Sequence, residues 1–184
     1  MLKLHARDLR DRKPTEEELA SIERRPLYIV LDNVLDTYNI GGIFRLADAV
    51  AAKEVIICGE SETPPSSRIH KAAVGLEYWV PWRYEPSAQV AISNLKNQNA
   101  NMRVLAVEQS DESVPYTSLS LPPSTNTPVA IVVGHETDGV SKNVLEMADQ
   151  VLEIPMFGVN KSLNVIVSCA IATYEIIRNL RQES

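Results

Sequence analysis

The chain of 184 residues has only two cysteines, three histidines and 5% aromatic residues. Cys58 and Cys169 each sit in an apolar stretch with no C-x-x-C spacing. That argues against a disulfide framework and a thiolate metal set, and leaves two buried free thiols. His5, His70 and His135 are scattered, and neither H-E-x-x-H nor a Ser-His-Asp order can be drawn through them. No G-x-G-x-x-G follows the first apolar run and no G-x-x-x-x-G-K-[ST] occurs, so a Rossmann dinucleotide site and a P-loop are both disfavoured. No apolar run approaches the roughly 18 residues of a membrane span, and residues 1–12 are too polar for a signal peptide. The expectation is a cytoplasmic protein with no membrane partner. Basic residues are in deficit, 18 against 24 acidic, for a net charge of -6. That balance argues against a protein that coats polyanions at large, but not against a local basic patch.

What is present is a core-forming composition, 45% hydrophobic and 23% charged, on a length suited to one domain. Short apolar runs read as strands at residues 27–31, 54–58, 78–82, 103–107, 129–133 and 151–154. Helical spacing falls between them, at 40–51, 68–76, 88–99 and 141–148, and from 163 to the C-terminus. Runs of continuous rather than alternating apolar residues, such as LYIVL and VAIVV, suit strands buried on both faces. The fold class is therefore α/β, a mainly parallel sheet with helices on both faces. Residues 1–26 form a separate arm, in which Thr15 and Glu18 make a capping-box signature and Pro26 ends the helix; residues 27–184 form the domain. Residues 111–128, rich in Pro, Ser and Thr, read as loop.

Three polar clusters stand at strand ends. DTYNIGGIFR, residues 36–45, follows the first strand, with Asn39 as a candidate cap, Gly41 and Gly42 allowing close backbone approach, and Arg45 in the second turn. GHETDG, residues 134–139, follows VAIVV, and in open parallel sheets ligands sit beyond the carboxyl ends of strands. There Glu136 is either the cap of a following turn or a ligand group. IPMFGVNKSLN, residues 154–164, runs from the last strand into an apolar helix, with Ser162 as a candidate cap and Asn164 harder to explain by capping.

Together the clusters resemble the SpoU (TrmH-like) RNA ribose 2'-O-methyltransferases of the SPOUT superfamily. Asn39, Gly41 and Arg45 match the family's first motif. Gly134, Glu136 and Gly139 match its second. Ile154, Pro155 and Met156, with Ser162, Leu163 and Asn164, match its third. Gly42 and Leu46 replace the frequent alanine and threonine without removing a functional group. The resemblance, over about residues 27–180, implies a C-terminal deep trefoil knot, S-adenosylmethionine as cofactor and a homodimer. It implies cofactor contacts from Val107, Gly134, Ile154, Met156, Leu163 and Asn164. It makes Arg45 the catalytic residue, in a site completed by the partner subunit, with Asn39, Glu136, Ser162 and Asn164 in support. Methyl transfer from an activated sulfonium calls for no metal. The implied substrate is RNA rather than DNA, with a lean toward tRNA over rRNA. The alternative is a catalytically silent knotted module that binds RNA or S-adenosylmethionine. Lys3, Arg7, Arg10, Arg12 and Lys13 in the arm, and Arg68, His70, Lys71 and Arg83, are candidate basic patches.

Overall fold

Seven stretches of chain assemble into one sheet, in the computed structural model of residues 3–122 and 126–180. The strands are β1 (Arg25–Asp32), β2 (Ala52–Cys58), β3 (Trp82–Glu85), β4 (Arg103–Val107), β5 (Val114–Pro115), β6 (Val129–Gly134) and β7 (Gln150–Glu153). Their order is β3-β2-β1-β6-β4-β7-β5, and every pairing is parallel. The helices are α1 (Ala6–Asp11), α2 (Glu16–Ala20), α3 (Thr37–Ala49), α4 (Ser67–Ala73), α5 (Ala88–Gln98), α6 (Lys142–Leu145) and α7 (Val165–Leu180). Among the described residues, none is long and apolar enough to cross a membrane.

Strand alternation sorts the core into two layers. Ile29, Leu31, Ile131 and Val133 face one side, packed with Phe44 of α3, Ile69 of α4 and Ile176 of α7. Val30 and Val132 face the other, with Ala91, Ile92 and Leu95 of α5 and Val144 of α6. Helices thus cover both faces of the sheet, as parallel strands require, since each buries side chains in both directions.

Several boundaries differ from the sequence reading. The capping box at Thr15 and Glu18 forms, but α2 ends at Ala20, and Pro26 is the second residue of β1 rather than a helix terminator. A proline is tolerated there because the ladder is irregular between Arg25 and Tyr28. Residues 78–82 do not form a strand. A 3₁₀ turn, Leu76–Tyr78, buries Trp79 and Val80, and β3 starts only after Pro81. Helix α4 stops where Val74 and Gly75 both take left-handed backbone, φ 60° and 83°. Within residues 111–128, β5 joins the sheet edge and Leu119 is buried.

The arm lies against the body. Leu4, Leu9 and Ile22 pack on the first core layer, and a Cβ on Gly75 would strike the Leu9 carbonyl. Gly41 serves helix packing: a Cβ there would lie 2.8 Å from the Ala73 amide nitrogen and 2.9 Å from the Ile69 carbonyl. Gly42 makes room for Ile166 of α7 in the same way.

Candidate functional site

Beyond the carboxyl ends of β4, β6 and β7 the chain leaves a cleft enclosing about 790 Å³ of space open to solvent. This is the position at which parallel sheets bind ligands. Val107, Gly134, Ile154, Met156 and Leu163, expected to meet a cofactor, all line it. Ser162 and Glu136 line it as well.

Three carboxylates shape the rim by accepting main-chain N–H groups. Glu108, at the end of β4, accepts from Val140 at 2.8 Å and from Gln109 at 2.8 Å. Asp32, at the end of β1, accepts from Ser141 at 2.8 Å. Glu136 accepts from Leu35 at 3.1 Å and Asp36 at 3.0 Å, just ahead of α3. Within the rim, paired bonds between His135 and Gly139 close the turn, at 3.0 and 2.9 Å. The His135 Nδ1 accepts from Thr137 and Asp138, both at 3.1 Å. That turn depends on its glycines. Gly139 has φ 71°, and a side chain there would meet the Glu108 carboxylate; a side chain on Gly134 would meet the backbone of Gly139 and Val140.

The motif asparagines lie beside the cleft and outside its wall. Asn39 Nδ2 donates to Glu136 Oε1 at 2.9 Å, and Asn164 Nδ2 donates to Asn39 Oδ1 at 2.9 Å. One polar chain thus joins the three clusters. Burial disfavours the charged Glu136 carboxyl, but donation from Asn39, Asp36 and Leu35 outweighs it and holds the group below the ordinary carboxylate range. The position just before a helix N-terminus acts in the same direction.

Several expectations change. Asp36, not Asn39, caps α3, through a 2.8 Å bond from the Tyr38 amide, which frees the buried Asn39 side chain for the network. Asn164, not Ser162, caps α7, accepting from the Ile166 amide at 3.0 Å. With both side-chain atoms committed, Asn164 stands beside the cleft wall, next to Leu163, which lines it. Glu136, as one of its expected supporting roles, braces Asn39, together with the entry to α3.

Arg45 is exposed on α3, one turn beyond Gly41, and has no hydrogen bond or ion pair among the described residues. Its guanidinium is free for an incoming group. The wall also holds His135, Asp138, Lys161 and Ser168, to which the sequence reading gave no role, and Glu108, whose loop around Val107–Gln109 the resemblance implies in cofactor binding. Their one sequence signal is adjacency to the motif residues. Cys58 and Cys169 are buried free thiols, pushed up to about 12 chiefly by that burial, and are inert as nucleophiles.

The chain is similar in sequence and fold to known proteins. The 23S rRNA (guanosine-2'-O-)-methyltransferase RlmB of Haemophilus influenzae is 32% identical over 163 residues, 88% of this chain and 63% of that protein. The tRNA (guanosine(18)-2'-O)-methyltransferase of Escherichia coli K12 is 32% identical over 164 residues, 88% of this chain and 67% of that protein. This chain therefore spans about two thirds of the length of those relatives. Among solved structures, the A. aeolicus TrmH/SpoU tRNA modifying enzyme has a TM-score of 0.76 at 27% identity, covering 97% of this chain and 83% of that one. The AdoMet-bound rRNA methyltransferase from Sinorhizobium meliloti has a TM-score of 0.74 at 29% identity, covering 94% and 60%. The profile of the SpoU rRNA Methylase family matches residues 26–174, from the second residue of β1 into α7. All three polar clusters fall inside that match, and the chain belongs to this family.

Proposed function

We propose that this chain transfers a methyl group from S-adenosylmethionine to a ribose 2'-hydroxyl of RNA. The observation that carries the reading is the Glu136–Asn39–Asn164 chain, which binds the three motifs together at the edge of the cleft. The cleft residues fit the cofactor. Val107, Leu152, Ile154 and Leu163 offer apolar walls for an adenine ring. Glu108 and Asp138 suit hydroxyls and positive charge, and Lys161 is a cation able to meet a carboxylate. The S. meliloti neighbour, at 29% identity, was solved with AdoMet bound.

When bound, the cofactor supplies an activated methyl carbon on a sulfonium. The chain must then hold the 2'-oxygen in line with that carbon and stabilise the oxygen as its proton leaves. Arg45 does this as a permanent cation with a planar fork. It holds the adjoining phosphate through two N–H groups and offsets negative charge growing on the 2'-oxygen. The guanidinium is too weak a base to accept the hydroxyl proton, which passes to the phosphate or to water. Asn39, Glu136 and Asn164 act as positioning groups that fix α3, and hence Arg45, against the cleft. Ser162, on the cleft wall, supports the substrate.

We read tRNA ahead of rRNA. Support comes from the E. coli tRNA methyltransferase at 32% identity and the A. aeolicus tRNA modifying enzyme at a TM-score of 0.76. A homodimer completes the site. Its support is a set of exposed apolar side chains around the third motif: Phe157 at 97%, Val159 at 104%, Val167 at 44% and Tyr174 at 56% exposure. The passage from β7 into α7 is read as the knotted crossing. Supporting this, β7 lies outside β4 while α7 returns to pack against α3 and β6.

The test is incubation of the protein with labelled S-adenosylmethionine and a tRNA pool, then digestion to nucleosides. A 2'-O-methylated nucleoside is expected. Cofactor binding without any methylated product, on tRNA or rRNA, would leave the silent binding module as the correct reading.

A further inference from the structure

Helix α3 turns one narrow stripe to solvent. Tyr38, Gly42, Arg45 and Ala49 recur at the spacing of a single helix face, while Ile40, Ile43, Phe44 and Ala47 face the core. Tyr38 is 57% exposed. Among the described residues no cation or second ring covers it, and its hydroxyl makes no hydrogen bond. The stripe starts at the mouth of the cleft: Asp36 and Asn39, on either side of Tyr38 in the chain, both donate to Glu136 of the cleft wall. Gly42 then leaves a gap floored by Ile166 of α7, since a side chain on Gly42 would meet the end of Ile166. Beyond the gap stands Arg45, exposed and unpaired among the described residues. Tyr38 and Arg45 are seven residues apart, about 10 Å along the helix axis.

A bare aromatic face and a free guanidinium on one stripe match the two features every nucleotide carries, a π-face and a phosphate. With Arg45 on the phosphate beside the reacting ribose, the gap over Gly42 leaves the RNA strand a path to Tyr38. We propose that Tyr38 is the stacking platform for the base of a nucleotide flanking the methylated ribose. Tyr38 holds the strand at one end and Arg45 at the other, which narrows the positions open to the 2'-oxygen between them. The contact is tolerant of sequence, because it meets the face of a base and reads none of its edges. A second copy of the chain would also cover an exposed tyrosine, but an unpaired cation and a backbone gap on the same stripe suit a phosphate chain better than an apolar face. The inference rests on the RNA reading above and adds a positioning residue to it.

The test measures, by fluorescence anisotropy on the full chain, the affinity of two labelled RNA pentamers with the same ribose–phosphate backbone: penta-adenylate and its abasic counterpart. The parent should prefer penta-adenylate by at least about five-fold, the low end for one stacked base. Tyr38→Ala, a change at an exposed side chain, should weaken penta-adenylate by about 5- to 150-fold and leave the abasic pentamer unaltered, so that the preference disappears. Tyr38→Phe keeps the ring and should retain the preference; Tyr38→Leu keeps apolar bulk without a π-face and should lose it. S-adenosylmethionine affinity by calorimetry should be the same in all four proteins, because Tyr38 is not in the cleft wall. Equal affinity of the parent for both pentamers, no binding of either, an equal loss on both in Tyr38→Ala, or a preference retained by Tyr38→Leu overturns the proposal. Sedimentation of Tyr38→Ala at half the parent's mass would place the residue in an interface between copies and overturn it as well. Any of these results alongside intact tRNA methylation by the parent removes only the stacking platform. Absence of cofactor binding and methylation in the parent would instead remove the enzymatic reading.

Discussion

Asn164 bonds in two directions: its Oδ1 accepts from the Ile166 amide at 3.0 Å, and its Nδ2 donates to Asn39 Oδ1 at 2.9 Å. The direction of the whole chain follows. Glu136 can only accept, so Asn39 must turn Nδ2 toward it and Oδ1 toward Asn164. Each amide thus has one allowed orientation, and a helix cap is tied to the body of the fold.

Asn39→Asp tests that directionality. The new oxygen would face the Glu136 carboxylate, replacing a donor with a repelling acceptor. The expected outcome is a loss of about 1–3 kcal/mol of stability by urea denaturation, the cost of an unsatisfied polar group, with weaker cofactor binding by calorimetry. Asn164→Ala should cost about 0.5–2 kcal/mol through the lost cap. Unchanged stability in both variants would show that the chain is ornamental.

Arg45→Ala should leave cofactor affinity nearly unchanged, because Arg45 is not in the cleft wall. Single-turnover methylation should fall by about 10²–10³, the range for losing one electrostatic stabiliser. Arg45→Lys keeps the charge but loses the fork, and should stay close to the alanine variant if two-point phosphate contact is the main role. Loss of cofactor binding in Arg45→Ala would refute this assignment.

Glu136 gives a pH signature of defined sign. Its carboxyl is held below the ordinary range in the folded state, so between the folded and unfolded values the unfolded chain binds more protons. Its contribution to stability is complete above the ordinary carboxylate range and is lost as pH falls through the depressed folded value. Glu18 and Glu175, depressed by bonds from Arg12 and Arg178, follow the same sign. The comparison must therefore be made between the parent and Glu136→Gln. The difference in urea stability between them should be constant near neutrality and shrink in acid; a gap that widens in acid would contradict the assignment.

The proposed dimer predicts a sedimenting species of about twice 20.4 kDa at micromolar concentration. Phe157→Ser, at a side chain 97% exposed in the single chain, should leave the monomer's stability within about 0.5 kcal/mol while weakening association. A parent protein that sediments as a single chain would remove the partner from the mechanism.

Gly41→Ala adds a methyl group between α3 and α4 where backbone atoms stand 2.8 and 2.9 Å away. Overpacking of that kind should cost about 1–3 kcal/mol in thermal or urea unfolding, despite the better helix propensity of alanine.

Much of this architecture could be read from residue pattern. LYIVL and VAIVV are continuous apolar runs with no solvent side, and they became neighbouring central strands in register from Leu27–Val129 to Asp32–Gly134. The run Tyr-Trp-Val-Pro-Trp misled because aromatic and β-branched residues favour strands. Trp79 and Val80 are instead buried after a 3₁₀ turn that follows left-handed Val74 and Gly75, a tertiary constraint with no local sign. The cleft residues were legible through motif resemblance. The capping roles of Asp36 and Asn164 were not, because Asp, Asn and Ser all cap helices well and several stand within a few residues of each start. The brace that Glu108 provides was not legible, because its partner, the Val140 amide, lies 32 residues away and no spacing rule reaches it.

The rim of the cleft is stitched by main-chain hydrogens: Leu35 to Glu136, Val140 to Glu108, Ser141 to Asp32. What the stitch demands at those donor positions is a hydrogen on nitrogen, which every residue but proline carries. The acceptors Asp32, Glu108 and Glu136 are fixed by their chemistry, while their donors are chemically interchangeable. Saturation mutagenesis would therefore find the exposed Leu35 permissive to nearly any side chain and intolerant of proline alone, an asymmetry between the two ends of a single bond.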